Sequence, residues 1–318
     1  MVRDLRIAVD IGGTFTDVVL EEGAKRLTRK LLTTPQRPEQ AVLDGVRLIL
    51  ADAGCGFADV AVFVHGTTLA TNAVIERRGA RTALIATEGF RDTLDIANES
   101  RYDQDDLTIE KPKPLVPRAL RFTVPERVDV HGGVRLALDE TAVREAAARL
   151  KAEGVESVAI AYMHSYVNPA HERRTRDILK EALPNLWVTL SSEVCPEVRE
   201  YERTSTAVAN AYVQPLMESY LSRMQKALAA EGFKGTIYLV TSGGGLTAIA
   251  TARRYPVRLV ESGPAGGAIF AAQMAARAGV TQALSYDMGG TTAKICLIDD
   301  YQPHTARLFE VDRAVCGW

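Results

Sequence analysis

One short pattern with the properties of a phosphate-binding turn occurs twice in the sequence. The segments AVDIGGTFTDVVLEE, from Ala8, and SYDMGGTTAKICLID, from Ser285, each contain an apolar stretch, an Asp, a Gly-Gly-Thr turn and a second apolar stretch. The shared residues are Asp10, Gly12, Gly13, Thr14, and Asp287, Gly289, Gly290, Thr291. Glycines let backbone N–H groups approach an anion closely, Thr hydroxyls add donors, and an Asp before the turn can hold hydrated Mg²⁺ through water. One copy would be typical of an ordinary β-turn, whereas two copies between strand-like segments favour a pair of hairpins that clamp nucleotide phosphates.

A second polar cluster follows a predicted buried strand in the segment VAVFVHGTTLATN. It contains His65, Thr67, Thr68 and Asn72, and ligand sites of α/β proteins collect where the strands of the sheet end. These residues are therefore candidates for the substrate side of a phosphate site. The structural alternative is that Thr67 or Thr68 caps the following helix and that His65 is bonded to the backbone.

A third candidate segment, EVREYERTSTAVANAYV, predicts the start of a helix that could face a substrate. Its aromatic and Ala positions are more typical of a core. Arg203 is the residue of this segment that we place on the substrate side.

Strands and helices alternate along the chain and would position these residues in an α/β fold. IAVDIGG, TDVVLEE and AKRLTRKLLTT predict a three-stranded meander, and later segments alternate between helical periodicity and short apolar strands. This order predicts a mixed sheet. Residues 88–135 are polar, acidic and Pro-rich in part, which favours an exposed insertion. Residues 199–232 predict a long helical region that is interrupted at Pro215.

The composition is that of an ordinary globular protein. Of 318 residues 47% are hydrophobic and 25% are charged, with 38 Lys and Arg against 40 Asp and Glu. This balance gives no electrostatic reason to expect nucleic acid or an anionic membrane as a partner. No apolar run approaches the roughly 20 residues needed to span a bilayer. The scattered cysteines Cys55, Cys195, Cys296 and Cys316, together with an N-terminus that leaves no room for a signal peptide, predict a cytoplasmic protein with reduced thiols.

The paired hairpins resemble the two phosphate loops of the sugar kinase, heat-shock chaperone and actin ATPase superfamily. Glu261 precedes a small-residue helix and then the second hairpin, which is similar to the first connecting helix of that superfamily. More closely, the chain resembles the hydantoinase A/5-oxoprolinase/acetone carboxylase β-subunit family. The segments that carry this resemblance are VDIGGTFTDVVL, FVHGTTLATNAVIERRGARTALIATEGFRD, SSEVCPEVREYERTSTAVANAYVQP, TSGGGL, ESGPAGG and DMGGTTAKICLI.

The resemblance implies a ribonuclease H-like ATPase fold that binds ATP and Mg²⁺. Asp10 and Asp287 would hold Mg²⁺ through water. The phosphates would be bound by Gly12, Gly13, Thr14, Gly289, Gly290, Thr291 and Thr292. Glu261 matches an acidic residue near the metal or the attacking water in the chaperone branch, and a salt-bridged loop carboxylate is the alternative. The candidate catalytic residues are then Asp10, Asp287, Glu261 and His65.

The same resemblance implies that ATP cleavage activates a poorly electrophilic carbonyl group. In amide-opening members, phosphorylation of the lactam oxygen gives an imidoyl phosphate that water attacks, whereas carboxylase members activate a ketone enolate and bicarbonate. We expect ATP-dependent ring opening of a cyclic amide such as hydantoin, N-methylhydantoin or 5-oxoproline. An ATP-dependent ketone carboxylase of the acetone type is the alternative among enzymes. A nucleotide-switched regulator or an inactive remnant is the alternative of another class.

The resemblance divides the chain into a first ATPase domain at residues 1–280 and the start of a second at 281–318. Family members are about twice as long, and a Gly-rich adenine-binding segment is expected after the second hairpin. We therefore expect a truncated second domain, and a chain that by itself binds ATP weakly or not at all and is inactive. A B-type subunit or a fused C-terminal half would supply the remainder.

Overall fold

The computed structural model describes residues 5–34, 36–98, 105, 108, 112–288, 293–306, 308–311 and 314–317. The described strands are β1 (Leu5–Ile11), β2 (Phe15–Glu22), β3 (Lys25–Leu32), β4 (Val60–Thr67), β5 (Thr82–Thr87), β6 (Arg121–Val124), β7 (Arg127–Val128), β8 (Val134–Leu136), β9 (Ser157–Ala161), β10 (Trp187–Leu190), β11 (Thr236–Val240), β12 (Leu246–Ala248), β13 (Gln282–Met288), β14 (Ala293–Asp299), β15 (Gln302–Pro303), β16 (Leu308–Val311) and β17 (Ala314–Gly317). The described α-helices are α1 (Pro38–Asp52), α2 (Leu69–Ile75), α3 (Thr93–Ile96), α4 (Glu140–Ala152), α5 (Ala170–Ala182), α6 (Ser191–Val194), α7 (Glu200–Ala230), α8 (Ile249–Arg254) and α9 (Ser262–Ala278).

The chain forms two compact units. The first comprises Met1–Asn72 and Met217–Ala306, and the second comprises Ala73–Leu216 and Arg307–Trp318. This division differs from the boundary at residue 280 predicted from the sequence. Residues 281–306 group with the first 72 residues because β13 packs against α9, which in turn contacts β4 and β11.

The first unit is built on a six-stranded mixed sheet in the order β12-β11-β4-β1-β2-β3. The predicted meander is present, because β2 runs antiparallel to both β1 and β3, while β4 and β11 continue the sheet in parallel to β1. Alternate residues of β1 are buried, as expected for a strand with one face on the core. Helix α1 covers β2, and Gly45 permits the close approach, since a Cβ there would lie 2.6 Å from Val18 Cγ2.

A three-stranded sheet of β13, β14 and β15 completes the first unit. Strands β13 and β14 form the second predicted hairpin, with an antiparallel register that pairs Asp287 with Lys294. Helix α9 packs on this sheet. The turn residues Gly289–Thr292 lie outside the described residues.

The second unit contains a parallel sheet in the order β10-β9-β5-β6. Strands β5 and β9 are buried at every position, which is typical of strands covered on both faces. The stretch 88–135, predicted to be an exposed insertion, also supplies β6 to this sheet, where Phe122 and Val124 are buried. The expectation of a wholly exposed insertion is therefore wrong for this part, because four alternating residues were too few to reveal a strand.

Helix α7 is continuous through Pro215, so the predicted interruption is wrong. Proline removes one backbone donor from a helix, but the turns on either side are packed: Val213 and Met217 are both completely buried. Among the described residues, no helix combines the length and the apolar character needed to cross a membrane.

Candidate functional site

The turn between β1 and β2 is closed by hydrogen bonds and leaves its tip accessible. The N–H of Gly12 donates to the Phe15 carbonyl at 2.9 Å, and the Thr33 hydroxyl donates to the Gly12 carbonyl at 3.0 Å. A Cβ added at Gly13 would meet only Asn72 Nδ2, at 3.8 Å. Neither Gly12 nor Gly13 has a positive φ. These glycines therefore serve by exposing the backbone, and not by permitting a left-handed conformation.

Asp10 lies in β1 just before this turn, opposite Asp17 in β2 and Gly66 in β4. Its carboxylate lies against Gly66, where a Cβ would be only 2.7 Å from Asp10 Oδ1. Part of Asp10 is exposed to solvent, but the surrounding protein still raises the pKa of its carboxyl by burial, and the charges of Asp17 and Asp287 raise it further, against a lowering effect of Lys30. Carboxylates that repel one another in this way would be stabilised by a bound cation.

The segment between β4 and α2 is fastened to the first hairpin. Both the N–H and the hydroxyl of Thr68 donate to the Ile11 carbonyl, at 3.1 and 3.3 Å. Asn72 Nδ2 donates to the Thr68 hydroxyl at 3.3 Å, and the Thr67 hydroxyl accepts from the N–H of Leu69 at 3.2 Å. The geometry thus brings Thr68 and Asn72 beside the turn, while Thr67 is buried at the end of β4 and its hydroxyl bonds the first residue of α2. Their assignment to the substrate side stays a prediction.

Glu261, at the start of α9, joins this segment to the second hairpin. Its backbone N–H donates to the Thr71 hydroxyl at 3.1 Å, and its carboxylate pairs with Lys294 at 2.9 Å. Lys294 lies in β14 opposite Asp287. Asp10, Asp287 and Glu261 therefore belong to one unit, in which the charge of Asp287 acts on Asp10 and Glu261 pairs with the residue opposite Asp287. Gly289, Gly290, Thr291 and Thr292, predicted to bind phosphate, lie outside the described residues.

His65 is completely buried and both ring nitrogens are engaged. Nδ1 lies 3.2 Å from the Val9 carbonyl and Nε2 lies 2.7 Å from the Tyr220 hydroxyl. Because a carbonyl only accepts, Nδ1 carries the proton and the Tyr220 hydroxyl donates to Nε2. Burial lowers the pKa of His65 to about 4. These contacts favour the structural alternative over direct contact with a substrate.

Arg203 belongs to the second unit, where its side chain is fully buried. Its guanidinium donates to the carbonyls of Glu197 and Tyr162, at 2.9 and 3.1 Å, and lies over the ring of Tyr166. Burial lowers the pKa of Arg203. These contacts support a packing role for Arg203, and its role toward a substrate stays a prediction.

Three residues that shape the site were not assigned a role from the sequence: Gly66, Tyr220 and Lys294. Gly66 lies within the segment HGTT, but only the β1–β4 register shows that the Asp10 carboxylate packs against it. Tyr220 lies 155 positions from His65 along the chain and carries no local signal. Lys294 occupies the same offset in its hairpin as Asp17 in the first, and this equivalence was the one available indication.

The described residues fit hydrated Mg²⁺ and the phosphates of ATP. Mg²⁺ prefers oxygen ligands and retains much of its water. Asp10 and Asp287 supply carboxylates, and the charge of Asp287 contributes to the raised pKa of Asp10. No group of three or more His, Cys, Asp or Glu side chains within the described part of the chain is arranged to bind a metal directly. The open turn at Gly13 and Thr14 has the accessible backbone that phosphate binding requires.

The first hairpin thus belongs to the six-stranded mixed sheet and the second to the three-stranded sheet of the same unit, as expected for the mixed α/β fold predicted from the sequence. The sequence also matches the family described as "Hydantoinase/oxoprolinase N-terminal region" over residues 6–183, and the family described as "Hydantoinase/oxoprolinase" over residues 203–315. The chain therefore belongs to the hydantoinase/oxoprolinase family, as the resemblance predicted.

Several relatives of known activity cover nearly the whole chain. The caprolactamase subunit alpha of Pseudomonas jessenii is 34% identical over 303 residues, which are 93% of this chain and 43% of that protein. A crystal structure of the ATP-dependent caprolactamase of that organism matches with a TM-score of 0.85 and 32% identity, over 98% of this chain and 46% of that one. A nucleotide-free structure of acetone carboxylase, from a study of ATP-dependent acetone carboxylation, matches with a TM-score of 0.88 and 27% identity, over 99% of this chain and 47% of that one.

The 5-oxoprolinase of Saccharomyces cerevisiae is 31% identical over 340 residues, which are 93% of this chain and 26% of that protein. These similarities confirm the predicted mixed α/β ATPase fold and the family of ATP-dependent cyclic-amide hydrolases and carboxylases. The chain spans less than half the length of the curated relatives it matches.

Proposed function

We propose that this chain is the ATP-binding part of an enzyme that opens a cyclic amide, such as hydantoin, N-methylhydantoin or 5-oxoproline, at the expense of ATP. The observation that carries the proposal is that Asp10, just before the open turn at Gly13, is close enough to Asp287 for their charges to interact, while Glu261 pairs with Lys294 opposite Asp287. Bound MgATP would supply the phosphoryl group that activates the amide oxygen.

The residues of the chain divide the work of binding and orientation. Asp10 and Asp287 hold the hydrated Mg²⁺ and thereby fix the position of the phosphates. The backbone of Gly12, Gly13 and Thr14 binds phosphate oxygens through N–H groups, with the second turn as its counterpart. Pre-placed charges and dipoles of this type stabilise a transferring phosphoryl group without reorganisation.

Glu261 orients the attacking group in this proposal, and Thr68 and Asn72 face the acceptor. The assignments of Thr68 and Asn72 are supported by the bond from Thr68 to the Ile11 carbonyl of the first hairpin and by the bond from Asn72 to Thr68, and that of Glu261 by the bond from its N–H to Thr71 of α2. His65 is a positioning residue, since its ring holds the carbonyl of Val9, next to Asp10.

A partner is part of the proposal. A cavity of about 270 Å³ in the first unit lies between α9 and β15, and none of the candidate site residues that the structure describes lines it. Two relatives carry the names caprolactamase subunit alpha and acetone carboxylase beta subunit. We therefore infer that the substrate pocket is completed by a B-type subunit or by a fused C-terminal half.

A ketone carboxylase is the second candidate. It is favoured by the TM-score of 0.88 to acetone carboxylase, and the same phosphate and metal ligands would serve it. The two candidates differ in the acceptor, and the acceptor decides between them experimentally.

Phosphate release by the full-length protein, assembled with its partner, tests the proposal. Release should depend on hydantoin or 5-oxoproline, and Asp10→Asn should abolish it because the substitution removes the charge that holds the cation. Asp52→Asn is the matched control and should leave the rate unchanged, because Asp52 is an exposed residue at the end of α1 that pairs with Arg29 of β3. Phosphate release that requires acetone and bicarbonate would favour the carboxylase. Phosphate release at the same rate with and without each acceptor would favour a nucleotide-switched regulator. Full turnover of Asp10→Asn would remove Asp10 from the metal site.

A further inference from the structure

The ion pair between Lys294 and Glu261 connects two elements of the candidate site. Lys294 Nζ lies 2.9 Å from Glu261 Oε2, and the two side chains are 33% and 16% exposed. Lys294 belongs to β14 of the second hairpin, whereas Glu261 directly precedes α9. The pair is partly shielded from water, so the attraction between the two charges is stronger than in a fully exposed pair.

Glu261 is held in a conformation that a non-glycine residue rarely adopts. Its φ is 65° and its ψ is 20°, in the left-handed region, which is unfavourable for a residue with a side chain. The N–H bond to Thr71 and the bond from the Ser262 hydroxyl to the Thr67 carbonyl, at 3.1 and 3.4 Å, maintain this geometry. The backbone of Glu261 is therefore fixed, and Lys294 is the more adjustable member of the pair, because it has a flexible four-carbon stem.

Lys294 also lies beside one of the predicted Mg²⁺ ligands. It is the cross-strand partner of Asp287, a residue whose charge reaches Asp10 of the first hairpin. The corresponding position of the first hairpin holds Asp17, which pairs with Lys30. The two hairpins therefore differ in charge at equivalent positions, and the second presents a cation where the first presents an anion.

We propose that Lys294 is the residue that senses the terminal phosphate of ATP, by exchanging its ion pair with Glu261 for a contact with that phosphate. A terminal phosphate carries more charge than a carboxylate and accepts strong charge-assisted hydrogen bonds from Lys. The exchange frees the Glu261 carboxylate, which stays in place because its backbone is fixed, to orient the attacking group. Glu261 is thus engaged by Lys294 without ATP and released when ATP is bound.

This inference rests on the proposed binding of ATP, and its test separates the two. Dissociation constants for MgATP and MgADP are measured by calorimetry on the full-length protein. Wild type should bind MgATP more tightly than MgADP. Lys294→Met should weaken MgATP binding by roughly ten- to a hundredfold while changing MgADP binding little. Glu261→Gln, which releases Lys294, should strengthen MgATP binding.

Two further variants keep the result interpretable. Lys294→Arg preserves the charge and should retain most of the preference for MgATP, and Lys25→Met, on the exposed edge strand β3, should behave as wild type. An unchanged ratio of the two constants in Lys294→Met, or weaker MgATP binding in Glu261→Gln, would overturn the role of Lys294. Absence of binding of either nucleotide to wild type would overturn the ATP site itself, and the inference with it.

Discussion

At the scale of single residues, the position of Asp10 is set by a neighbour that has no side chain. Gly66 faces Asp10 across the β1–β4 pair, and the space that a methyl group would fill is taken by the Asp10 carboxylate. Gly66 does not have a positive φ, so its backbone would accept alanine. The absence of a Cβ is therefore required by the carboxylate and not by the chain conformation.

Gly66→Ala should accordingly leave the fold intact and displace the Asp10 carboxylate. A misplacement of about 1 Å can cost roughly a hundredfold in a positioned reaction, and we expect Mg²⁺-dependent ATP binding by the full-length protein to fall by about tenfold or more. Gly56→Ala, before the other end of β4, is the control, since a Cβ there meets only Asp59 Oδ2 at 3.8 Å. Calorimetry with and without Mg²⁺ measures the effect. Equal binding by the two variants would show that Gly66 does not position Asp10.

At the scale of elements, a buried hydrogen-bonded chain joins β1, β4 and α7. Tyr220 on α7 donates to His65 on β4, and His65 donates to the Val9 carbonyl on β1. Val9, His65 and Tyr220 are all buried. A donor or acceptor left unmatched in the core costs about 1–3 kcal/mol. The neutral imidazole is therefore part of what holds the strand that carries Asp10.

This connection should weaken in acid. Burial lowers the pKa of His65 to about 4 from an ordinary value of 6.5, so the unfolded state binds a proton at a higher pH than the folded state does. The stabilising contribution is complete above about pH 6.5 and is lost as the pH falls toward 4. Between about pH 6.5 and 5 the loss amounts to about 1.5 kcal/mol.

Hydrogen exchange of β1 and β4, corrected for the pH dependence of intrinsic exchange rates, measures this loss as a free energy of local opening. His65→Gln should remove the pH dependence in that range. Tyr220→Phe, which keeps the imidazole, should retain most of it while lowering the opening free energy by about 1–3 kcal/mol at each pH. Undiminished acid sensitivity in His65→Gln would assign the effect to another group.

Elements with strong local signals could be predicted from the sequence, and contacts between distant residues could not. The meander and the hairpin around Asp287 follow from alternating apolar residues that flank a Gly-Gly-Thr turn, and all three strand pairs are present. Strand β6 has only four residues after a Pro-rich stretch, and its pairing with β5 depends on tertiary packing. The Glu261–Lys294 and His65–Tyr220 contacts join separate elements, so no periodicity reveals them.

At the scale of the whole molecule, one face of the second hairpin carries an apolar ladder that water contacts. Leu284 and Tyr286 on β13 pair with Leu297 and Ile295 on β14, and all four are more than half exposed. Contiguous exposed apolar side chains of this size usually mark an interface. Two curated relatives are more than twice as long as the region they share with this chain, and we expect the residues beyond that region to cover the ladder in the full-length protein.

A charge introduced into the ladder distinguishes a covered face from a solvated one. In the full-length protein, Leu284→Lys should lower the free energy of unfolding by more than about 2 kcal/mol, because an unpaired charge would be buried at an apolar contact. Gln282→Lys places the same charge on the same face and strand, at the exposed end of the hairpin, and should change stability by less than about 0.5 kcal/mol. In the 318-residue chain alone, where Leu284 is 55% exposed, both substitutions should be mild. Thermal unfolding of the two variants in the two contexts measures the contrast. A mild effect of Leu284→Lys in the full-length protein as well would mean that the ladder faces water there, because the lysine would remain hydrated in both contexts.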